Sequence, residues 1–84
     1  MQLTLLSRTY CHLCHDMEVL VRERLPLGWA LDVVDIDQHP HLESQYDELV
    51  PMLLAGEHQL FHYFFDAERW QIFLEQASGK DKVG

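Results

Sequence analysis

Two cysteines, Cys11 and Cys14, are the residues whose type and spacing point most directly to chemistry. They stand three positions apart, and the sequence contains no other cysteine. Two cysteines are too few for the disulfide framework of a small secreted domain. A pair at this spacing is more typical of metal binding or of redox chemistry in a reducing compartment.

The pair lies where a predicted strand passes into a predicted helix. Residues at i and i+3 in a first helical turn have Cα atoms about 5 to 6 Å apart, which is within reach of a disulfide. Free N–H groups and the positive end of the helix dipole favour an anionic thiolate at the first of the two positions. Since Cys14 comes about one turn further in, we assign nucleophilic attack to Cys11 and resolution of the mixed disulfide to Cys14.

Three residues beside the pair are candidates for substrate binding. The permanent charge of Arg8 could stabilise the thiolate or bind a carboxylate of a thiol substrate, or it could be an exposed charge at a strand end. His12 could favour the thiolate when protonated, or it could be solvated at the helix start. Tyr10 could flank a substrate groove or pack at the end of the strand.

The elements that must position these residues follow the order β-α-β-α-β-β-α in one α/β domain over residues 1–77. The predicted strands are Leu3 to Leu6, Leu31 to Asp37, Met52 to Leu54 and Leu60 to Phe65. The predicted helices run from about Cys11 to Leu25, from His39 to Glu48, and from the N-cap Asp66 to Ala77. The last two strands form a hairpin through Gly56, Glu57 and His58. Residues 78–84 are predicted to be a flexible tail.

Length and charge limit the classes of function. With 84 residues and a formal charge of −8, the chain is expected to form one small domain that repels phosphate backbones and anionic membranes. Nucleic acid and membranes are therefore excluded as expected partners. Without an apolar run of about 18 residues or a recognisable signal segment, we expect a cytoplasmic monomer. The acidic pairs Asp35/Asp37 and Asp47/Glu48 are interpreted as turn and surface charges.

A Cys-x-x-Cys pair also occurs at haem and metal sites. Cys-x-x-Cys followed by His15 is the pattern of covalent haem attachment, but the mixed strand and helix pattern and the lack of an export segment argue against it. A zinc site with both cysteines and His15, or with His39 and His41, lacks a second pair at finger-like spacing, so we predict no metal site. A non-catalytic adaptor, or an iron-sulfur or other metal-binding relative, stays open as the alternative function.

Four stretches of the sequence resemble the glutaredoxin branch of the thioredoxin superfamily, and in particular small glutaredoxin-like proteins with a Cys-His-Leu-Cys active site. They are Leu3 to Cys14 with the basic Arg8, Val33 to Asp37, Val50 to Leu53, and Phe65-Asp66 at the start of the last helix. The resemblance covers residues 2 to about 77. The order and spacing of these four stretches are more specific to the family than the cysteine pair alone.

The resemblance implies a thioredoxin-like fold. Its four-stranded mixed sheet has the order 2-1-3-4, with helices on both faces and the hairpin strands antiparallel to the first two. It also implies a cis peptide bond between Val50 and Pro51, beside the cysteine pair. In thioredoxin-like proteins the residue before this proline offers its backbone to the substrate, so the resemblance places Val50 and Pro51 in the substrate-binding site.

The resemblance further implies a thiol-disulfide oxidoreductase of cell redox homeostasis. Its expected partners are protein or small-molecule thiols and disulfides, with no tightly bound cofactor and with glutathione as a candidate co-substrate. Two positions depart from the glutathione-binding members of the family. Those members carry a threonine before Val-Pro, where this chain has Leu49, and a glycine pair before an acidic residue, where this chain has Phe64-Phe65-Asp66.

Overall fold

The computed structural model describes the backbone of residues 1–83 and the side chains of residues 1–77. Within these residues the predicted order of strands and helices is confirmed. The strands are β1 Gln2–Ser7, β2 Ala30–Asp35, β3 Met52–Ala55 and β4 His58–His62. The helices are α1 His12–Arg24, α2 Pro40–Tyr46 and α3 Ala67–Val83, and a short 3-10 helix, Ile36–Gln38, follows β2.

The four strands form one mixed sheet in the order β2-β1-β3-β4, as predicted. β1 is parallel to β2 and antiparallel to β3, and β4 is antiparallel to β3. The prediction that both hairpin strands oppose the first two is correct for β3 and wrong for β4. Because the hairpin reverses the chain once more, β4 runs in the same direction as β1.

The helices cover both faces of the sheet because neighbouring residues of β1 point to opposite sides. Leu5 lies in a buried cluster with Met17 of α1 and Trp70 of α3. Leu6, the next residue, lies in a second cluster with Tyr46 of α2. All five of these side chains are buried, so β1 contributes to the core on both faces of the sheet.

β4 ends earlier than its apolar sequence predicts. The run was expected to stay extended through Phe65, but the strand stops at His62 and Tyr63 adopts a φ of 68°. The ring of Phe65 instead packs edge-to-face on Phe61 at 5.3 Å and lies 5.9 Å from Trp70, measured between ring centroids. Phe65, the last residue of the apolar run, therefore packs against the core with Trp70 of α3 and does not belong to the sheet.

The hairpin turn and the end of β2 also differ from the prediction. The turn is Gly56 and Glu57 alone, because His58 already pairs with Ala55. Gly56 has a φ of 63°, a positive value that the common two-residue hairpin turns require at their first position and that glycine tolerates. β2 stops at Asp35, whose side chain accepts a hydrogen bond of 2.9 Å from the N–H of residue 37 and so caps the short 3-10 helix.

α3 extends beyond Ala77, the predicted end of the last helix. Gly84 and the side chains of residues 78–83 lie outside the described residues, so the predicted flexibility of residues 78–84 stays a prediction. None of the helices in the described part of the chain has the length and apolar character needed to cross a membrane.

The predicted N-cap of α3 is confirmed, and it generates a test. Asp66 accepts a hydrogen bond of 3.0 Å from the backbone N–H of Arg69. Because this bond satisfies an otherwise free donor, Asp66→Ala should lower the free energy of unfolding by about 0.5 to 2 kcal/mol, measured by urea denaturation. Gln71→Ala, on the exposed surface of the same helix, is the matched control and should change it by less than about 0.5 kcal/mol. Equal values for the two variants would contradict the capping role.

Candidate functional site

One edge of the sheet brings the predicted site residues together. Leu6 of β1 pairs with Met52 at the start of β3, and Met52 also pairs with His62 at the end of β4. Ser7, the last residue of β1, pairs with Asp35 at the end of β2. The segments that follow β1, β2 and β4 and the segment that precedes β3 therefore meet at the same edge, which we call the site edge.

The cysteine pair lies on the segment that leaves β1 at the site edge. Cys11 is the N-cap of α1 and Cys14 lies in its first turn, with 5.1 Å between their Cα atoms and a disulfide between their sulfurs. The backbone N–H of Cys14 donates to Cys11 Sγ over 3.1 Å, and the N–H of His15 donates to the Cys11 carbonyl over 3.1 Å. One otherwise free N–H group of the first helical turn, that of Cys14, thus points towards the Cys11 sulfur.

The two cysteines differ sharply in exposure. Cys11 is half-buried, whereas only 2% of the surface of Cys14 is exposed. Cys14 lies on the buried face of α1 with Met17, while Leu13 between the two cysteines is 40% exposed. An incoming sulfur can therefore reach Cys11 but not Cys14.

Tyr10 and His12 flank Cys11 in the chain and are both exposed. Tyr10 is 98% exposed, so the alternative in which it packs at the end of the strand is wrong. His12, the first residue of α1, is exposed as well. Both residues are sequence neighbours of Cys11 with exposed side chains, and their predicted role in substrate binding stays a prediction.

Arg8 binds two carboxylates from other segments of the site edge. Its Nε lies 3.2 Å from Asp37 Oδ1, and its Nη2 donates a hydrogen bond to Asp47. The bond to Asp47 is the main cause that raises the pKa of Arg8 above its ordinary value, against the opposing effect of partial desolvation. The neighbouring Thr9 hydroxyl donates to Asp35 Oδ2 over 3.0 Å. Arg8 thus joins the segments that follow β1, β2 and α2.

The sequence did not reveal these partners of Arg8. Asp37 and Asp47 were interpreted as turn and surface charges, but the structure places both against the guanidinium. Asp47 is 39 positions from Arg8, so no local pattern could have paired them. The one available signal was that Asp47 lies shortly before Val50 and Pro51 in the sequence. The family resemblance places those two residues beside the cysteine pair.

Val50 and Pro51 enter the site edge directly before β3. The peptide bond between them is cis, Pro51 is buried, and Val50 is half-buried. The Pro51 carbonyl accepts a hydrogen bond of 2.8 Å from the N–H of Tyr63, and the Tyr63 hydroxyl donates to the carbonyl of Glu48. Tyr63 is a second residue of the site edge that sequence reasoning missed, because its partners are backbone carbonyls.

The histidines and cysteines of the described residues do not form a group that could hold a metal ion. Among the residues that the structure describes, no three side chains of His, Cys, Asp or Glu come together in an arrangement that could hold a metal ion. Both cysteine sulfurs are engaged in the disulfide. The geometry of the pair is that of a Cys-x-x-Cys redox motif.

Comparison with known families assigns the chain. Residues 2–75 match the model of the Glutaredoxin-like domain (DUF836) family. The chain belongs to this family. The glutaredoxin-like domain carries its cysteine pair at the N-terminus of α1, on the mixed sheet of thioredoxin-like proteins, so the predicted resemblance and fold class are confirmed.

Two solved structures are similar to this glutaredoxin-like domain. Protein Ne2328 from Nitrosomonas europaea, determined by NMR in solution, is 33% identical over 86% of this chain and 88% of its own, with a TM-score of 0.75. Protein XcR50 from X. campestris, determined by X-ray methods, is 35% identical over 88% of this chain and 96% of its own, with a TM-score of 0.65. No curated protein matches the chain.

The contacts of Arg8 in the glutaredoxin-like domain generate a double-mutant test. Arg8→Met and Asp47→Asn should each lower the free energy of unfolding, because each removes one partner of an ion pair that joins distant segments. The double variant should lose less than the sum of the two. The control cycle is Arg22→Met with Glu18→Gln, an exposed pair within α1 at 2.9 Å, whose coupling should be smaller. Strictly additive losses at Arg8 and Asp47 would show that the contact does not join the segments in solution.

Proposed function

We propose that this glutaredoxin-like domain is a thiol-disulfide oxidoreductase of cell redox homeostasis, with Cys11 as the nucleophile and Cys14 as the resolving thiol. The observation that carries the proposal is the asymmetry of the pair at the start of α1. Cys11 is half-buried and its Sγ accepts a hydrogen bond from the N–H of Cys14, whereas Cys14 is buried. A helix N-terminus favours an anion at its cap, so the thiolate form is favoured at the cysteine that a substrate can reach.

The reaction moves two electrons from the protein dithiol to a substrate disulfide. The Cys11 thiolate attacks one substrate sulfur, an S–S bond forms between them, and the other substrate sulfur leaves as a thiolate that takes a proton. Cys14, after losing its proton, attacks Cys11 Sγ, closes the intramolecular disulfide and releases the second substrate thiol. A thiol reductant returns the protein to the dithiol by the reverse exchange. No tightly bound cofactor is needed in either direction.

The substrates we propose are protein or small-molecule thiols and disulfides. Val50 and Pro51 are proposed to meet the substrate backbone, as the family resemblance implies, and their place on the site edge beside the cysteine segment supports this. Tyr10 and His12 flank the reacting sulfur and are free to contact a substrate.

Glutathione is a candidate co-substrate under this proposal, and Arg8 is the basic residue proposed to meet its carboxylates. Those carboxylates would compete with Asp37 and Asp47, which already bind the guanidinium. A substrate that needs Arg8 must therefore displace one of the two, so binding through Arg8 should be weakened by salt and strengthened by Asp47→Asn.

The assignment of roles is tested by trapping. The reduced Cys14→Ser variant, incubated with a peptide disulfide, should accumulate a mixed disulfide at Cys11, because nothing is left to resolve it. The reduced Cys11→Ser variant is the matched control and should form little adduct, since its remaining thiol is buried. Non-reducing electrophoresis and intact mass measure both.

Equal trapping by the two variants would refute the assignment of attack to Cys11. If wild-type protein reduces no disulfide and neither variant forms an adduct, the oxidoreductase proposal fails. The alternative function, a non-catalytic adaptor on the same fold, would then be favoured. A coloured protein after anaerobic preparation would instead favour the iron-sulfur relative.

A further inference from the structure

Tyr63 holds a backbone conformation that side chains with a Cβ atom rarely adopt. Its φ of 68° is the only positive value at a non-glycine residue in the described part of the chain. For a bulky aromatic residue this conformation is unfavourable and persists only where the surrounding structure enforces it. Residues held in such conformations cluster at functional sites, and Tyr63 lies at the site edge.

The contacts of Tyr63 join it to both ends of one short segment. Its backbone N–H donates to the carbonyl of Pro51 over 2.8 Å, and its hydroxyl donates to the carbonyl of Glu48. The ring packs edge-to-face on His62, with 4.5 Å between centroids, and this contact fixes its direction. Tyr63 therefore holds residues 48–51 at their first and last carbonyls.

Val50 lies between these two attachment points. The N–H of Leu49 donates to the carbonyl of Tyr46 over 2.8 Å, so the residue before Val50 is also held. Val50 differs from its neighbours, because its own N–H and carbonyl make no hydrogen bond to any other group in the described residues. The segment is thus fixed on either side of one residue whose backbone groups are free.

We propose that Tyr63 is a positioning residue that holds the Val50 backbone ready to pair with an extended peptide substrate. This inference rests on the proposed function and adds one positioning residue, Tyr63, to it. Tyr63 acts through residues 48–51 and not on the sulfur atoms. A peptide disulfide, which brings its own backbone N–H and C=O groups to pair with Val50, gains from this positioning. A small aliphatic disulfide without a peptide backbone gains nothing.

The test compares two substrates in the reduced, full-length protein. One is a short peptide disulfide, and the other is bis(2-hydroxyethyl) disulfide, which has no peptide group. Tyr63→Phe removes only the hydroxyl that holds the Glu48 carbonyl. It should lower kcat/KM for the peptide by about threefold to tenfold, the effect of one hydrogen bond, and leave the rate with the small disulfide unchanged. The ratio of the two rates is the readout, because a loss of folded protein lowers both rates equally.

Two further variants separate positioning from folding. Tyr46→Phe is the matched control, since it removes the hydroxyl of another tyrosine, 3.4 Å from Gln45 Nε2, and should leave the ratio unchanged. Tyr63→Gly loses the hydroxyl and the ring but accepts the positive φ without strain. It should stay folded, as thermal unfolding will show, and lose at least as much of the peptide preference as Tyr63→Phe.

An unchanged ratio in both Tyr63 variants, or an equal loss with both substrates, would overturn the positioning role while leaving the oxidoreductase proposal intact. A wild-type protein that reduces neither substrate would overturn the oxidoreductase proposal, and the role of Tyr63 would fall with it. A ratio that falls in both Tyr63 variants and not in Tyr46→Phe is the result that the structure predicts.

Discussion

The pairing of β1 on both of its edges is the constraint on which the rest of the structure depends. β1 pairs in parallel with β2 and antiparallel with β3, and its buried leucines serve the apolar clusters on both faces of the sheet. Because the two pairings run in opposite senses, the end of β1 meets the end of β2 and the beginning of β3. The chain continues from that point into Cys11. The backbone register therefore brings the segment that leads from β1 to Cys11 to the same end of the sheet as Val50 and Pro51.

Polar contacts then fix the segments that the register has brought together. Arg8 binds Asp37 and Asp47, while Tyr63 holds the carbonyls of Glu48 and Pro51. The apolar cluster around Ile36 packs part of the site edge, including Val50 and the buried Pro51. Hydrogen bonds and ion pairs between distant segments add to this packing. Cys11 stays only half-buried, and within the described residues the N–H and carbonyl of Val50 make no hydrogen bond.

The fold could be predicted from the sequence because local patterns and the family resemblance agreed on it. The order of elements, the strand order and the cap at Asp66 are confirmed. The end of β4 was wrong, because an apolar run does not show where a backbone turns, and Phe65 is partly buried by packing on Phe61. The direction of β4 was wrong because the hairpin reverses the chain after β3. The partners of Arg8 and Tyr63 could not be predicted, since one is an acid far away in the sequence and the others are carbonyls that carry no sequence signal.

The central claim is that the Cys11–Cys14 disulfide is redox-active, and a redox titration tests it most directly. The protein is equilibrated in glutathione buffers of graded potential, its free thiols are alkylated, and the oxidised fraction is read by mass. We expect one reversible two-electron transition within about −270 to −120 mV, the range of Cys-x-x-Cys proteins with thioredoxin-like chemistry. A pair that stays oxidised below about −300 mV, as structural disulfides do, or that never closes in oxidising buffer, would contradict the account.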